Sequence, residues 1–134
     1  MDIERIHKAL TGGETARVEF KSCRDKISNS VYDTVCSFSN HSGGLIILGF
    51  DDDMNLIGVN KNASVNLKKN IINTLGNTEV FFPKLTIEPE IEEYDGKTII
   101  VIDVPVSQYP VRYKNKYFDR VSDADMDITD NMEL

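Results

Sequence analysis

Three consecutive carboxylates, Asp51, Asp52 and Asp53, form the densest group of chemically active side chains in the sequence. They stand between two apolar runs, residues 45–50 and 56–59, so the pattern predicts the tip of a hairpin between two strands. Carboxylate oxygens are the ligands that hard cations such as Mg²⁺ and Mn²⁺ prefer. Aspartate is also a favoured turn residue, so the cluster alone is compatible with a metal site or with an ordinary turn.

Basic residues are concentrated in two stretches. They are suited to contact phosphate groups, which positions a duplex without reading its sequence, or to form a solubilising surface on edge strands. Phosphate contact is favoured for Arg112 and Arg120, because they flank aromatic residues. Those aromatic residues are themselves more typical of a core than of base stacking. A solubilising surface is favoured for Lys114 and Lys116. The stretches contain Lys21, Arg24 and Lys26, and then Arg112, Lys114, Lys116 and Arg120, interleaved with Tyr113, Tyr117 and Phe118.

Other reactive residue types form no catalytic pattern. Cys23 and Cys36 lack CxxC spacing and histidine partners, so we expect reduced, structural thiols. His41 has no supporting pattern for a catalytic triad and is interpreted as structural or exposed. Gly43 and Gly44 lie between a helix and a strand, the reverse of the order in a phosphate-binding loop, and no GxxxxGK[ST] motif occurs. We therefore expect no ATP site in this segment.

Apolar periodicity predicts the elements that position these side chains. Alternation in residues 17–21 indicates a half-buried strand with Val18 and Phe20 inward, which leaves Glu19 and Lys21 on the other face. In chain order, the first half contains a helix ended by Gly12-Gly13, this strand, a central helix that starts at Ser28 or Asn29, the buried strand 45–50, the acidic hairpin, and a helix marked by Val65, Leu67, Ile71, Ile72 and Leu75.

The second half of the sequence is rich in strand patterns. Residues 85–92 predict a strand in which Pro89 favours an edge position or a bulge. Asp95-Gly96 is the strongest hairpin signal and joins that strand to the β-branched residues 97–104. A last hairpin pairs residues 111–113 with 117–121. This order predicts an α+β fold, a mixed and mostly antiparallel sheet with two to three packed helices.

Composition and charge limit the class of protein. The chain has 134 residues, 40% hydrophobic, which is enough for one globular domain. It has no apolar run near the roughly 20 residues that span a bilayer and no signal-peptide pattern, so we expect a cytoplasmic protein without a membrane partner. The net charge is −7, of which residues 119–134 supply −5. We predict a domain over residues 1–122, then a solvated or disordered acidic tail or linker over residues 123–134.

Four short motifs occur in order, at residues 14–21, 37–44, 48–52 and 57–59. In order and spacing they resemble the motifs of the Schlafen AlbA-like domain, and the match spans most of residues 14–122. The family usually has a glycine where this chain has Ser122. The closing proline–tyrosine–aromatic–arginine segment of the family is similar to Pro110, Tyr113, Tyr117, Phe118 and Arg120.

The resemblance implies two functions. Bacterial domains of this kind are usually described as DNA-binding modules of longer regulators, which would place a further domain after residue 134. In vertebrate Schlafen proteins the domain is a metal-dependent endoribonuclease for structured RNA, and its three carboxylates fall on Glu14, Glu19 and Asp52. That nuclease builds its groove from two lobes, so a single lobe would have to form a homodimer.

A carboxylate triad has a definite chemistry. Mg²⁺ or Mn²⁺ held by Glu14, Glu19 and Asp52 would activate water and neutralise charge on a phosphodiester. The structural alternative is a solvated strand face, or salt bridges of the two glutamates with Arg17 and Lys21. We expect a nucleic-acid-binding module, for DNA or structured RNA, of a transcriptional-regulator-like protein. The alternatives are the metal-dependent endoribonuclease and a protein-interaction domain.

Overall fold

The computed structural model describes residues 3–132 and contains three α-helices and two four-stranded sheets. This is the α+β architecture, with mostly antiparallel pairing, that the sequence predicts. The helices are α1 (Ile3–Gly12), α2 (Asn29–Asn40) and α3 (Ser64–Leu75). The strands are β1 (Val18–Lys21), β2 (Gly44–Leu48), β3 (Phe81–Phe82), β4 (Glu90–Tyr94), β5 (Lys97–Val104), β6 (Arg112–Tyr113), β7 (Lys116–Val121) and β8 (Ala124–Asp127), and 3₁₀ turns cover Lys61–Ala63 and Thr129–Met132.

The first sheet has the order β1-β2-β5-β4, in which β1 and β2 are parallel and the other neighbours are antiparallel. Both faces of its central strands are covered. Leu45 and Ile47 of β2 pack with Ile6 of α1, whereas Ile46 and Leu48 pack in the core that contains α2 and α3. Successive side chains of a strand point to opposite faces, so burial on both faces explains why the run is continuously apolar.

The second sheet has the order β3-β6-β7-β8 and packs on α2. Because α2 also contacts β2 and β5, it connects the two sheets. Val35, Cys36 and Phe38 of this helix are fully buried. Phe81 and Tyr113 extend the core from the second sheet, with their rings stacked at a centroid distance of 4.9 Å.

Several local predictions are confirmed. The central helix begins at Asn29 with Ser28 as its N-cap residue, and α3 ends before Gly76. Asp95 and Gly96 form the predicted turn between β4 and β5, with φ angles of +49° and +80°. These positive φ values are those of the two-residue turns that match the twist of paired strands.

Two predicted strands differ from the structure. Residues 56–59 form only an isolated bridge, between Phe50 and Leu56, because the next amides, of Ile57 and Gly58, both donate to the carbonyl of Gly49. The strand predicted at residues 85–92 begins only at Glu90. The earlier residues Leu85 and Ile87 are partly buried against the core outside the strand, and β4 occupies the edge of its sheet, the position that Pro89 favours.

The acidic segment after residue 122 is a correction to the sequence prediction. We expected it to be solvated or disordered; it is largely exposed, but Ala124–Asp127 is ordered as β8, which pairs antiparallel with β7. The register places Asp125 opposite Arg120. Opposite charges on directly paired residues favour strand association, so the negative charge here stabilises the sheet.

The two cysteines agree with the structural role expected of them. Cys23 and Cys36 are free and buried, and burial raises the pKa of Cys23 to about 11 and that of Cys36 to about 12. Both are therefore protonated at neutral pH. Within residues 3–132, none of the helices combines the length and apolar character needed to cross a membrane.

The turn before β2 provides a test of the packing between β2 and β5. Gly43 has φ +76°, and a Cβ atom there would lie 2.6 Å from the carbonyl oxygen of Val104. Gly96 has a similar φ, +80°, but a Cβ there would meet open space. We expect Gly96→Ala to cost about 1–2 kcal/mol for the left-handed backbone alone, and Gly43→Ala to cost about 1–3 kcal/mol more through overpacking.

Urea unfolding of both variants, followed by circular dichroism, measures this difference in the free energy of unfolding. Equal losses for the two variants would contradict the close contact between residue 43 and β5.

Candidate functional site

Glu14, Glu19 and Asp52 line one cavity of about 370 Å³. Glu14 precedes β1, Glu19 lies within it, and Asp52 lies in the turn after β2. Because β1 and β2 are parallel, their carboxyl ends meet at one edge of the sheet, beside the start of α2. We call this space, which Lys21 and Ser30 also line, the carboxylate cavity.

The turn itself depends on a different aspartate. Both oxygens of Asp51 accept hydrogen bonds: Oδ1 from the amides of Asp53 and Asn55, at 2.9 and 2.8 Å, and Oδ2 from the Asn55 side chain. The donors favour the charged form and lower the pKa of Asp51. The structural role that the sequence leaves open for Asp52 is therefore performed by Asp51, and the side chain of Asp52 is exposed.

The two glutamates of the carboxylate cavity differ in environment. Glu14 is exposed, and its Oε2 accepts a weak hydrogen bond from the amide of Phe20, at 3.4 Å. Glu19 is only 6% exposed, and its Oε1 lies 3.3 Å from Nη1 of Arg120 and 4.0 Å from Nζ of Lys21. Glu19 therefore forms the salt bridge with Lys21 that the sequence leaves open, but at a long distance, and Arg120 is its closer partner.

Arg120 is buried, with 2% exposure. Its Nη1 also donates to Oδ1 of Asp125 at 2.8 Å, and its Nη2 donates to the carbonyl oxygen of Thr15 at 2.8 Å. The guanidinium lies 4.8 Å from the ring centroid of Phe38. The sequence-based assignment of Arg120 to a phosphate-contacting surface is therefore corrected, because its charge is used inside the protein.

Asp125 is the residue of this site that sequence reasoning missed. It accepts hydrogen bonds from the hydroxyls of Thr34 and Ser37 on α2 as well as from Arg120. We call Arg120, Glu19 and Asp125 the buried ion network. Ser122 has φ +57°, a conformation that glycine adopts readily, so this chain keeps the turn that leads to Asp125 without the glycine usual in the family.

Asn40 supplies a second link that the sequence did not reveal by itself. Its side-chain amide donates to the carbonyls of Val111 and Phe118 at 2.8 and 2.9 Å, and its Oδ1 accepts from the amide of Val111 at 2.7 Å. These bonds fix the end of α2 to the second sheet. The adjacent His41 is exposed and lies 3.2 Å from Asp119, in agreement with its interpretation as a structural or exposed residue.

The carboxylate cavity does not present a ready ligand set for Mg²⁺ or Mn²⁺. In the part of the chain that the structure describes, no three His, Cys, Asp or Glu side chains are grouped so that they could hold a metal ion. The physical reason is visible at Glu19, whose Oε1 faces the guanidinium of Arg120 rather than Glu14 or Asp52. The three carboxylates share a cavity but do not converge on a point.

Three lysines from distant parts of the chain lie near the first half of α2. Burial and the charge of Asp125 raise the pKa of Asp33 on this helix, and the charges of Lys21, Lys116 and Lys114 oppose that rise. Lys114 also donates to Oδ1 of Asn29 at 3.2 Å. We call these three lysines the cationic face.

The other predicted basic residues occupy different positions. Arg24 is exposed and donates to the carbonyl of Ile57 at 3.0 Å. Arg112 lies over the ring of Phe82, with 4.8 Å between the guanidinium carbon and the ring centroid. Phe82 is 48% exposed, and its pairing with Arg112 forms a flat, cationic surface feature that sequence reasoning missed. Tyr113, in contrast, is buried in the core.

The buried ion network predicts a large difference between two arginine variants. Arg120→Ala leaves Glu19 and Asp125 without their main counter-charge, and breaking a buried pair typically costs about 3–5 kcal/mol. Arg5 forms a similarly short ion pair with Asp103, at 2.7 Å, but both side chains are about half exposed. Arg5→Ala should cost at most about 1 kcal/mol.

Chemical denaturation of both variants at pH 7 measures these losses. A loss at Arg120→Ala no larger than at Arg5→Ala would show that the buried ion network does not stabilise the fold.

Comparisons with known proteins agree with this architecture. The N-terminal domain of a protein related to the ATP-dependent DNA helicase RecG, from Nitrosomonas europaea, is 24% identical over 83% of this chain and 78% of that chain, with a TM-score of 0.65. The DIP2311 protein of Corynebacterium diphtheriae is 15% identical over 93% of this chain, which spans 29% of that chain, with a TM-score of 0.66. These likenesses concern the fold.

The family comparison covers the site. None of the curated proteins compared with the chain matches it. A family model described as Schlafen, AlbA_2 matches residues 14–129, a range that includes the carboxylate cavity, the buried ion network and the cationic face. The chain therefore belongs to the Schlafen, AlbA_2 family.

Proposed function

We propose that this domain binds nucleic acid through the cationic face, and that it serves as the DNA-binding module of a transcriptional-regulator-like protein. The observation that carries the proposal is the position of the lysines at the amino end of α2: Lys114 donates to Asn29 at 3.2 Å, and Lys21 lines the cavity beside Ser30. Lysines brought together from β1 and the β6–β7 turn form a patch of positive charge on a protein whose net charge is −7. Such a patch contacts phosphates by charge and leaves the sequence unread.

The surroundings of the cationic face support the same proposal. Lys114 and Lys116 are exposed, so their ammonium groups are accessible to a ligand. Asn29 and Ser30, at the amino end of α2, are exposed beside them, and the helix dipole places partial positive charge at that end. Membership of the Schlafen, AlbA_2 family and the fold shared with a domain of a helicase-related protein are consistent with a nucleic-acid partner.

Binding of nucleic acid by the cationic face predicts an affinity that falls with rising salt concentration. This salt dependence should weaken in a variant that lacks the three lysines. For Lys21→Gln/Lys114→Gln/Lys116→Gln, we expect the slope of log affinity against log salt concentration to fall by about 0.9 for each lost phosphate contact, and so by up to about 2.7. The matched control is Lys69→Gln/Lys84→Gln/Lys97→Gln, which removes the same charge from exposed positions elsewhere and should keep the wild-type slope. Fluorescence anisotropy with labelled duplex DNA and with tRNA measures both.

The two ligands and the control separate the possible outcomes. Tighter binding of duplex DNA than of tRNA supports the regulator role, and the reverse preference would replace DNA by structured RNA as the partner. Equal losses in the two triple variants would show that net charge, rather than the cationic face, is responsible. Absence of binding to either ligand would contradict the proposal and favour the protein-interaction alternative.

A metal-dependent endoribonuclease is the second candidate, because Glu14, Glu19 and Asp52 line one cavity beside the cationic face. The arrangement does not fit a metal as it stands, so catalysis would require Glu19 to leave Arg120. We expect tRNA to be bound equally with Mn²⁺ and with EDTA, and to remain intact.

Denaturing gels of tRNA incubated with the domain test this expectation. The informative variants are Glu14→Gln and Asp52→Asn, since both side chains are exposed and their loss leaves the buried ion network intact. Cleavage that needs Mn²⁺ and disappears in both variants, while Asp53→Asn retains it, would establish the nuclease instead of the simple binding module.

A further inference from the structure

A second cavity, of about 590 Å³, lies at the opposite ends of the parallel strands. Its walls come from α1, from the residues just before β1, from the turn before β2 and from the end of β5. The carboxylate cavity is at the carboxyl ends of β1 and β2, whereas this one is at their amino ends. We call it the amino-end cavity. Its volume falls within the roughly 300–1,000 Å³ typical of small-molecule sites.

The charge of the amino-end cavity is positive. Its lining contains three cations, Arg5, Lys8 and Arg17, and a single carboxylate, Asp103. That carboxylate is paired with Arg5 at 2.7 Å. Within residues 3–132, the side chains of Lys8 and Arg17 form no ion pair or hydrogen bond. Two cations of this cavity therefore have no ion-pair partner among the described residues.

The rest of the lining is suited to an organic group rather than to a bare ion. Ala9, Val18 and Leu45, which belong to one apolar cluster, form an apolar wall, whereas the side chain of Val104 packs in the other core. The hydroxyl of Thr15 accepts a hydrogen bond from the amide of Arg17 at 3.1 Å, which leaves its own proton available to a ligand.

The glycines of this cavity need no ligand to explain them. A Cβ atom at Gly43 would meet the carbonyl of Val104 at 2.6 Å, and one at Gly44 would meet the ring of Phe38 at 2.6 Å. Both glycines are required by packing. The argument for a ligand therefore depends on the unpaired cations, the apolar wall and the volume.

We propose that the amino-end cavity binds a small phosphate ester of mononucleotide size. Lys8 and Arg17 hold the phosphate, because an unpaired ammonium and guanidinium at one cavity form charge-assisted hydrogen bonds to its oxygens. The apolar wall receives the organic part of the ligand. This site is separate from the cationic face, and the proposal does not depend on nucleic-acid binding there.

Isothermal titration calorimetry with the four 5′-ribonucleoside monophosphates, with adenosine and with inorganic phosphate tests the proposal. We expect at least one monophosphate to bind in a 1:1 ratio. Lys8→Gln/Arg17→Gln should weaken that binding by about tenfold or more, since it removes both cations that hold the phosphate. Lys69→Gln/Lys84→Gln, which removes two exposed cations elsewhere, should bind as the wild type does.

Adenosine and inorganic phosphate show whether the apolar wall, the two cations or both contribute to binding. Adenosine and inorganic phosphate should each bind at least about tenfold more weakly than the monophosphate. Inorganic phosphate binding as tightly as the monophosphate would overturn the role of the apolar wall. Absence of binding by all four monophosphates would overturn the proposal as a whole.

Binding of duplex DNA by the same variant shows whether the cavity takes a free phosphate ester or the phosphates of a nucleic acid. Lys8→Gln/Arg17→Gln should bind duplex DNA as the wild type does, because its substitutions lie outside the cationic face. Loss of duplex binding in this variant, without monophosphate binding by the wild type, would show that the cavity is part of a nucleic-acid surface and contradict the small-molecule site. Circular dichroism of the variant, in which both substituted side chains are exposed, confirms that it is folded.

Discussion

The buried charge of Arg120 is the interaction on which the arrangement of the two sheets depends. No strand of the first sheet pairs with a strand of the second in the described range, so their relative position is set by α2 and by side chains that cross between them. Arg120 of β7 crosses to Glu19 of β1 and to the carbonyl of Thr15, while Asp125 of β8 bonds both to it and to α2. A buried guanidinium is tolerated only where such partners offset its desolvation, and here they bond Nη1 and Nη2 but leave Nε without a hydrogen-bond partner.

The buried ion network also determines which charged side chains remain accessible to a ligand. It withdraws Arg120 from the surface and occupies an oxygen of Glu19, the carboxylate at the centre of the cavity. Lys114 and Lys116 stay exposed because no other part of residues 3–132 buries the tip of the β6–β7 hairpin. Arg120, Glu19 and Asp125 are therefore used inside the protein, and Lys114 and Lys116 remain as accessible cations. The neighbouring aromatic residues favoured Arg120 over these lysines for phosphate contact, and the structure reverses that preference.

The sequence predicts elements whose signal is local and misses those fixed by distant partners. The periodicity of α2, the β-branched run of β5 and the Asp95-Gly96 turn each carry their signal within a few residues, and the structure agrees. The short strand β8, with the sequence ADMD, alternates apolar and acidic residues over only four positions, and its acidic content favoured a solvated tail. It forms because Asp125 meets Arg120 and two hydroxyls on a helix some ninety positions earlier, which no window of sequence displays. The placement of Glu14, Glu19 and Asp52 in one cavity could be anticipated from the neighbouring ends of β1 and β2. The pairing of Glu19 with Arg120, which competes with a metal ion for the same oxygen, could not.

The parallel pair β1–β2 also separates two kinds of surface. At its carboxyl ends, acidic side chains lie beside the cationic face, and a phosphate backbone held by Lys114 and Lys116 would be repelled from the exposed Asp52 and Asp53. At its amino ends, positive charge and an apolar wall occur together in an open cavity. Charges at opposite ends of a short strand are screened from one another at physiological salt, where the Debye length is about 8 Å. For the proposed functions, this separation allows a duplex at one end and a small phosphate ester at the other to bind without competing for the same cations.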